Sequence, residues 1–135
     1  MTSRIALLVV LVTLLAACGG SEDGAVTQAC AEAPAAMPKQ PQLPPGFPSP
    51  SDVTYTGERE IGPSQIVRGH WDGDIGAAFD GYKESFEGTD YSITKEEREA
   101  ADAEVNFSGR GVSGQIKLLQ SCQDRTDVTI TIRPS

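Results

Sequence analysis

The sequence has little of what catalytic sites are usually built from. It contains one histidine and one tryptophan in 135 residues. The serines have no nucleophile-elbow context, and Gly109, Gly111 and Gly114 follow or enter predicted strands, with no helix start to receive a phosphate. No Cys-x-x-Cys pair is present for redox chemistry. We therefore expect a non-enzymatic protein without a cofactor or a bound metal.

Positive charge is scarce as well. The chain has 11 lysines and arginines against 19 aspartates and glutamates, which gives a formal net charge of −8. Such an excess of negative charge opposes binding to phosphate backbones, so we expect no nucleic-acid partner. An acidic surface instead keeps a domain in solution and away from anionic lipid headgroups.

The N-terminus has the pattern of an export signal. Arg4 is the single charge ahead of an aliphatic run over residues 5–15. This run is shorter than the roughly 20 apolar residues of a membrane-spanning helix, and the polar stretch behind it has no stop-transfer character. The pattern predicts a signal peptide over residues 1–17.

The apolar run closes with Leu15-Ala16-Ala17-Cys18. This tetrapeptide resembles the lipobox of bacterial lipoproteins, in which the cysteine becomes diacylated and then forms the new N-terminus. The resemblance implies lipid on Cys18, attachment to the cell membrane or cell envelope through that lipid, and a location on the exported side. Two acyl chains, at about 0.8 kcal/mol per buried methylene, anchor a protein stably. The alternative is an ordinary secretory signal in which Cys18 is unmodified.

With Cys18 taken by lipid, Cys30 and Cys122 remain as a pair. In an exported, oxidising compartment we expect a disulfide between them. Two thiols alone make a poor zinc site. The parity of Cys122 with Ile116 and Leu118 predicts that its sulfur points inward or to the edge of a sheet.

Residues 18–50 are predicted to form a lipid-anchored, proline-rich tether, because they are rich in Gly, Ser, Ala, Gln and Pro and hold few large apolar residues. Leu43 and Phe47 are exceptions. Since Cys30 also ties this segment to the domain, we expect its second half to lie along the surface of the domain, which comprises residues 51–135.

Apolar periodicity assigns the elements of that domain. Alternation of apolar and polar residues predicts strands at 53–60, 64–71, 91–94, 103–108, 112–118 and 127–133. A helical spacing over residues 74–87 predicts one amphipathic helix, capped by Asp72 or Asp74 and ended by Gly88. The predicted fold is α+β, with a mainly antiparallel sheet of about five to six strands (ββαββββ) covered on one face by the helix.

The charged stretch over residues 95–102 is predicted to be an exposed hairpin end. Its acidic residues around Arg98 could also attract a basic partner or a cation. In overall layout the chain is similar to small bacterial lipoproteins that pair a lipobox and a proline-rich lead-in with a one-helix domain, many of them without known function.

The residues His70-Trp71-Asp72-Gly73-Asp74 form the most suggestive cluster, because the only histidine and the only tryptophan lie beside two carboxylates. These side chains could form a general base or a metal site. Packing of Trp71 and capping by an aspartate explain the same residues more simply. A calcium loop is excluded because Lys83 falls where the bidentate glutamate should be.

Three functions follow as hypotheses. The first is a non-enzymatic module that binds another envelope protein or a cell-envelope component. The second is a small-ligand carrier with a groove between helix and sheet, and the third is an envelope hydrolase using His70 with Asp72 or Asp74. The candidate ligand or partner contacts are His70, Trp71, Phe79, Tyr82 and Phe86.

Overall fold

The computed structural model describes residues 26–135, so the predicted signal peptide and the lipidation of Cys18 lie outside the described residues. One helix, α1 (Ile75–Phe86), follows the second strand. The strands are β1 (Val53–Ile61), β2 (Ser64–Asp72), β3 (Tyr91–Arg98), β4 (Asp102–Gly109), β5 (Val112–Cys122) and β6 (Arg125–Pro134). The predicted order of ββαββββ is confirmed.

The six strands form one sheet in the order β1-β2-β6-β5-β4-β3, and every neighbouring pair is antiparallel. The sheet is open, with β1 and β3 as its edges. The last strand, β6, lies in the middle and joins the β1–β2 hairpin to the β3–β4–β5 meander. The predicted α+β class and the antiparallel sheet are confirmed.

The helix begins where the sequence predicts and covers one face of the sheet. Of the two candidate caps, Asp74 is the one used, because its Oδ1 accepts a hydrogen bond of 2.9 Å from the backbone N–H of Ala77. Gly88, just past the end, has the left-handed φ of 70°. No helix within residues 26–135 has both the length and the apolar character that crossing a membrane requires.

The core lies between α1 and the sheet. Val67, Ile130, Ile116 and Val105 are paired in register across four neighbouring strands, and all four are fully buried. The helix contributes its own apolar face to this layer, namely Ile75, Ala78, Phe79, Tyr82 and Phe86. The opposite side of the sheet, which we call the open face, carries Arg68, His70, Lys117, Leu119, Asp127 and Thr129.

The charged stretch differs from its prediction. Strand β3 continues to Arg98 and β4 starts at Asp102, so only residues 99–101 form the hairpin end. Lys95 and Glu96 therefore belong to an edge strand, with Glu96 in register with Val105. Charged side chains on an edge strand are compatible with pairing inside the sheet, and they discourage pairing with another chain.

The N-terminal segment is attached to the β5–β6 turn. Cys30 and Cys122 form the predicted disulfide, with a Cα–Cα distance of 5.1 Å. The backbone N–H of Gln123 donates to the carbonyl of Gln28 at 2.8 Å. Cys122 is only 5% exposed, as its parity with Ile116 and Leu118 predicts, although a bulge after Gln120 puts it in register with Arg125.

From there the segment continues around the β1 edge to the core. The N–H of Met37 donates to the carbonyl of Tyr55 at 2.8 Å, which pairs it with the free edge of β1. Phe47 is only 8% exposed and packs edge-on against Tyr91 and Phe107, at ring-centroid distances of 5.5 and 5.2 Å. The second half of the predicted tether thus contributes an aromatic side chain to the core.

Candidate functional site

The structure divides the five candidate contact residues between the two faces of the sheet. Trp71 pairs in register with Thr126 and His70 with Asp127, and consecutive strand residues point to opposite faces. Trp71 therefore joins Phe79, Tyr82 and Phe86 on the helix side. Of the five candidates, only His70 lies on the open face.

The aromatic residues on the helix side are packed into the core. Trp71, Phe79, Tyr82 and Phe86 are each at most 9% exposed. Trp71 lies so close to Gly81 that a Cβ there would approach its Cζ3 to 3.0 Å. The ring of Phe79 is flanked by the cations of Lys83 and Arg98, at 5.3 and 5.6 Å from the centroid. These contacts indicate that the four aromatic residues stabilise the core.

Tyr82 is the largest fully buried side chain of the described residues. Its hydroxyl has no hydrogen-bond partner of good geometry among residues 26–135. Burial raises the pKa of Tyr82 well above its ordinary value of 10.0, and the neighbouring Tyr55 hydroxyl raises this pKa further. Tyr55 itself hydrogen-bonds with Ser49, and burial raises the pKa of Tyr55 too. Both hydroxyls thus stay protonated at neutral pH.

His70 is buried on a face that is otherwise mostly polar. It is only 4% exposed, and its Nε2 lies 3.5 Å from Oδ1 of Asp72, whose side chain is 77% exposed. Its Nδ1 is buried and has no hydrogen-bond partner within the described part of the chain. A buried polar atom without a partner is rare in folded proteins, and a bound water or a ligand can supply the missing partner.

A cavity of about 370 Å³ lies next to His70 on the open face. Pro34, from the N-terminal segment, forms part of its wall. Its floor is made by open-face residues of three central strands: Arg68, His70, Lys117, Leu119, Asp127 and Thr129. A volume of this size falls within the range of about 300–1,000 Å³ that small-molecule sites occupy.

Two cations flank this cavity. Arg68, Thr129 and Lys117 are paired in register across β2, β6 and β5. With strands about 4.8 Å apart, the two basic residues start about 10 Å from each other and the short threonine lies between them. Arg68 makes no ion pair with any residue in the range 26–135, so its charge is available.

Lys117 is held by acidic neighbours on β4. Its Nζ lies 3.2 Å from Asp102 and 3.7 Å from Glu104. The hydrogen bond to Asp102 is the main reason that the pKa of Lys117 is raised from its ordinary value, with the charge of the same carboxylate as the second cause. The ammonium group of Lys117 is therefore held in place by these carboxylates, and it is positively charged at neutral pH.

A second row crosses the same strands beside the first. His70, Asp127 and Leu119 are paired in register, one on each of β2, β6 and β5. Asp127 accepts a hydrogen bond of 3.1 Å from Ser121 Oγ. Leu119 is 47% exposed, which is unusual for a leucine on a polar face. The cavity thus combines cations, one carboxylate, one incomplete imidazole and an apolar surface.

Sequence reasoning singled out His70 but missed Arg68, Lys117, Leu119 and Thr129. A signal for them was present in the alternation. Arg68, Lys117 and Thr129 occupy the polar positions of their strands, where they share a face with His70. Leu119 breaks the alternation of β5, because it is apolar at a position where a polar residue is expected. Their grouping required the strand order, which places β6 between β2 and β5.

The structure also describes the residues from which the hydrolase and metal-site hypotheses were built, namely residues 70–74. Asp74 is used as the helix cap, and the pair His70 and Asp72 has no serine hydroxyl hydrogen-bonded to it in the described range. No three acidic, cysteine or histidine residues within 26–135 are grouped so that they could hold a metal ion. Comparison with protein-family models, curated proteins and solved structures finds no match to this chain.

Proposed function

We propose that this protein is a lipid-anchored protein of the cell envelope and that its domain is a non-enzymatic binding module. The observation that carries the proposal is the cavity between the open face and the N-terminal segment. It concentrates buried and charged polar groups where the helix does not cover the sheet. The lipobox resemblance of residues 15–18 supports the location.

The anchor and the cavity are close in the chain. Cys30 follows Cys18 by 12 residues and is bonded to the domain through Cys122. At about 3.5 Å per extended residue, the free chain reaches about 40 Å at most. Pro34, in the cavity wall, comes four residues after Cys30. A lipidated Cys18 would therefore keep the cavity near the membrane surface.

A small-ligand carrier is the second candidate, and the same cavity favours it. The groove first envisaged for the carrier lies between helix and sheet, where Phe79, Tyr82 and Phe86 are buried. The open-face cavity provides room of the right size on the other side of the sheet. A carrier would accordingly hold its ligand against His70 and not against the aromatic residues.

The anchor is tested by fractionating cells that produce the native chain or Cys18→Ser. We expect the native chain in the membrane fraction and Cys18→Ser as unlipidated protein outside it. Cys30→Ser is the matched control, because it removes a different cysteine and leaves the lipobox intact. Membrane retention of Cys18→Ser would contradict the anchor.

The binding face is tested by placing a photoreactive amino acid at Leu119, in the cavity, or at Glu87, an exposed residue beyond the helix. Irradiation of intact envelopes should give a defined adduct from position 119 and none from position 87. The same adduct from both positions, or none from either, would contradict a binding role for the open face.

A further inference from the structure

We propose that the open-face cavity binds a small organic anion that also carries a hydroxyl group, with a carboxylate or phosphate as its charge and the size of a monosaccharide. This inference rests on the proposed binding function and names its ligand class. It is drawn from three features of the cavity: the spaced cations, the incomplete histidine and the exposed leucine.

The Arg68–Thr129–Lys117 row selects a negative charge. Arg68 has no ion pair in the described residues, and its guanidinium can bind a carboxylate or phosphate through two parallel N–H donors. Lys117 is fixed on the other side by Asp102. The Thr129 side chain, between them, is short enough to leave room and adds a hydroxyl. An anion seated there would contact Arg68 and Thr129, with Lys117, whose charge is shared with Asp102 and Glu104, on its far side.

His70 selects a hydroxyl. Its Nε2 faces the carboxylate of Asp72, an arrangement in which Nε2 carries the hydrogen. The buried Nδ1 is then an acceptor, and no residue within 26–135 donates to it. Nδ1 is covered by its surroundings, so the ligand hydroxyl that completes it must enter with a small rotation of the imidazole toward the adjoining cavity.

The spacing of the two rows sets the size of the ligand. Arg68 and His70 are two residues apart on β2, which separates the rows by about 7 Å. Asp127, in the histidine row, repels a second negative charge, so the anion should lie on the Arg68 row and the hydroxyl on the other. The apolar surface of Leu119 can pack against carbon atoms between them. A six-carbon sugar acid or sugar phosphate has these dimensions.

The test is a calorimetric titration of the full chain in nonionic detergent with glucuronate, glucose 6-phosphate, glucose and hexanoate. We expect saturable binding of glucuronate, of glucose 6-phosphate or of both, and the stronger of the two identifies the anion. Glucose lacks the charge and hexanoate lacks the hydroxyls. Each should bind at least about tenfold more weakly, because each loses one charged or buried hydrogen-bonding group.

Arg68→Gln is the test variant and Arg133→Gln its control. Both arginines are exposed cations on the same face, but Arg133 pairs with Ser113, away from the cavity. Arg68→Gln should weaken binding of the anionic sugar about tenfold or more, and Arg133→Gln should leave it within about twofold. Near-ultraviolet circular dichroism verifies that both variants keep the native fold.

Three results would overturn the inference: no binding of either anionic sugar up to about 10 mM, equal binding of glucose or of hexanoate, or equal weakening by the two arginine variants. Each is distinct from failure of the proposed function, which is judged by the membrane fraction and by adducts from position 119. A specific adduct without affinity for anionic sugars would retain the binding module and reject this ligand class.

Discussion

Cys30 and Cys122 join the start of the described chain to the turn between the two central strands β5 and β6. The attachment does not consist of the disulfide alone. Arg125, in register with Cys122, donates hydrogen bonds to the carbonyls of Ala31 and Glu32, the two residues that follow Cys30. The N-terminal segment is therefore held at a covalent point with polar contacts on both sides of it.

Loss of this bridge should lower the stability of the domain strongly. The cysteines are 92 residues apart, and closing a loop of that length restricts the unfolded chain by about 4 to 5 kcal/mol by the loop-entropy argument. We expect the double variant Cys30→Ser, Cys122→Ser to lose free energy of unfolding of this order in urea titrations. Cys18→Ser should lose none. Equal midpoints for the double variant and the native protein would contradict a stabilising bridge.

Phe47 should behave as a core residue although it lies in the proline-rich segment. Its ring packs edge-on against Tyr91 and Phe107 and is 8% exposed. Phe47→Ala should cost about 3 to 5 kcal/mol of unfolding free energy, as for other buried aromatic residues. Gln40→Ala, at an exposed position of the same segment, should change it by less than about 0.5 kcal/mol. A cost for Phe47→Ala as small as that of the control would show that the segment detaches in solution.

Gly114 is required by close packing and not by its backbone angles. A Cβ at this position would overlap the carbonyl oxygen of Thr131 and come within 2.6 Å of Cζ of Phe107. Gly114→Ala should therefore destabilise the domain by about 1 to 3 kcal/mol. Gly57→Ala is the control, because nothing lies within 4 Å of a Cβ there. Thermal unfolding of the two variants side by side measures the difference.

The buried tyrosines should make the domain sensitive to alkaline pH. The raised pKa of Tyr82 means that the folded state keeps a proton that the unfolded chain releases above pH 10.0. Because the unfolded state then binds fewer protons, the free energy of unfolding falls as pH rises beyond that value, and it is unaffected below it. Urea titrations at neutral and alkaline pH should show this loss.

Tyr82→Phe separates this effect from the other tyrosines. It should flatten the alkaline loss and cost little at neutral pH, because the hydroxyl it removes has no hydrogen-bond partner in the described residues. Tyr91→Phe is the contrast, since the Tyr91 hydroxyl donates to the carbonyl of Pro45 at 3.2 Å and its removal should cost about 1 kcal/mol at neutral pH. An unchanged alkaline slope in Tyr82→Phe would contradict the assignment.

Local patterns predicted the elements of this domain well. The alternation in β5 and β6 and the spacing of Ile75, Ala78, Phe79, Tyr82 and Phe86 were sufficient to identify the strands, the helix and its buried face. Side-chain alternation is a property of the backbone, so each strand carries it independently of its neighbours. The same alternation underlies the separation of His70 from Trp71.

Contacts between distant segments were not accessible in this way. The burial of His70 on a polar face accompanies the covering of that face by the segment containing Pro34. Cys30 and Phe47 predict that this segment lies along the domain, but no residue pattern indicates that it passes over His70. The bulge before Cys122 is equally hidden, because one inserted residue changes the register without changing the pattern of residue types. Of these two features, the covering segment is the one that helps to form the site.

The central position of β6 has a consequence for the order of folding. The β1–β2 hairpin and the β3–β4–β5 meander touch within the sheet only through this strand, which follows both of them in the sequence. Until residues 125–134 are available, neither part has its central neighbour, and the sheet cannot be completed. A ribosome or a translocation channel that delivers the N-terminus first would therefore release a chain whose sheet stays incomplete until β6 emerges.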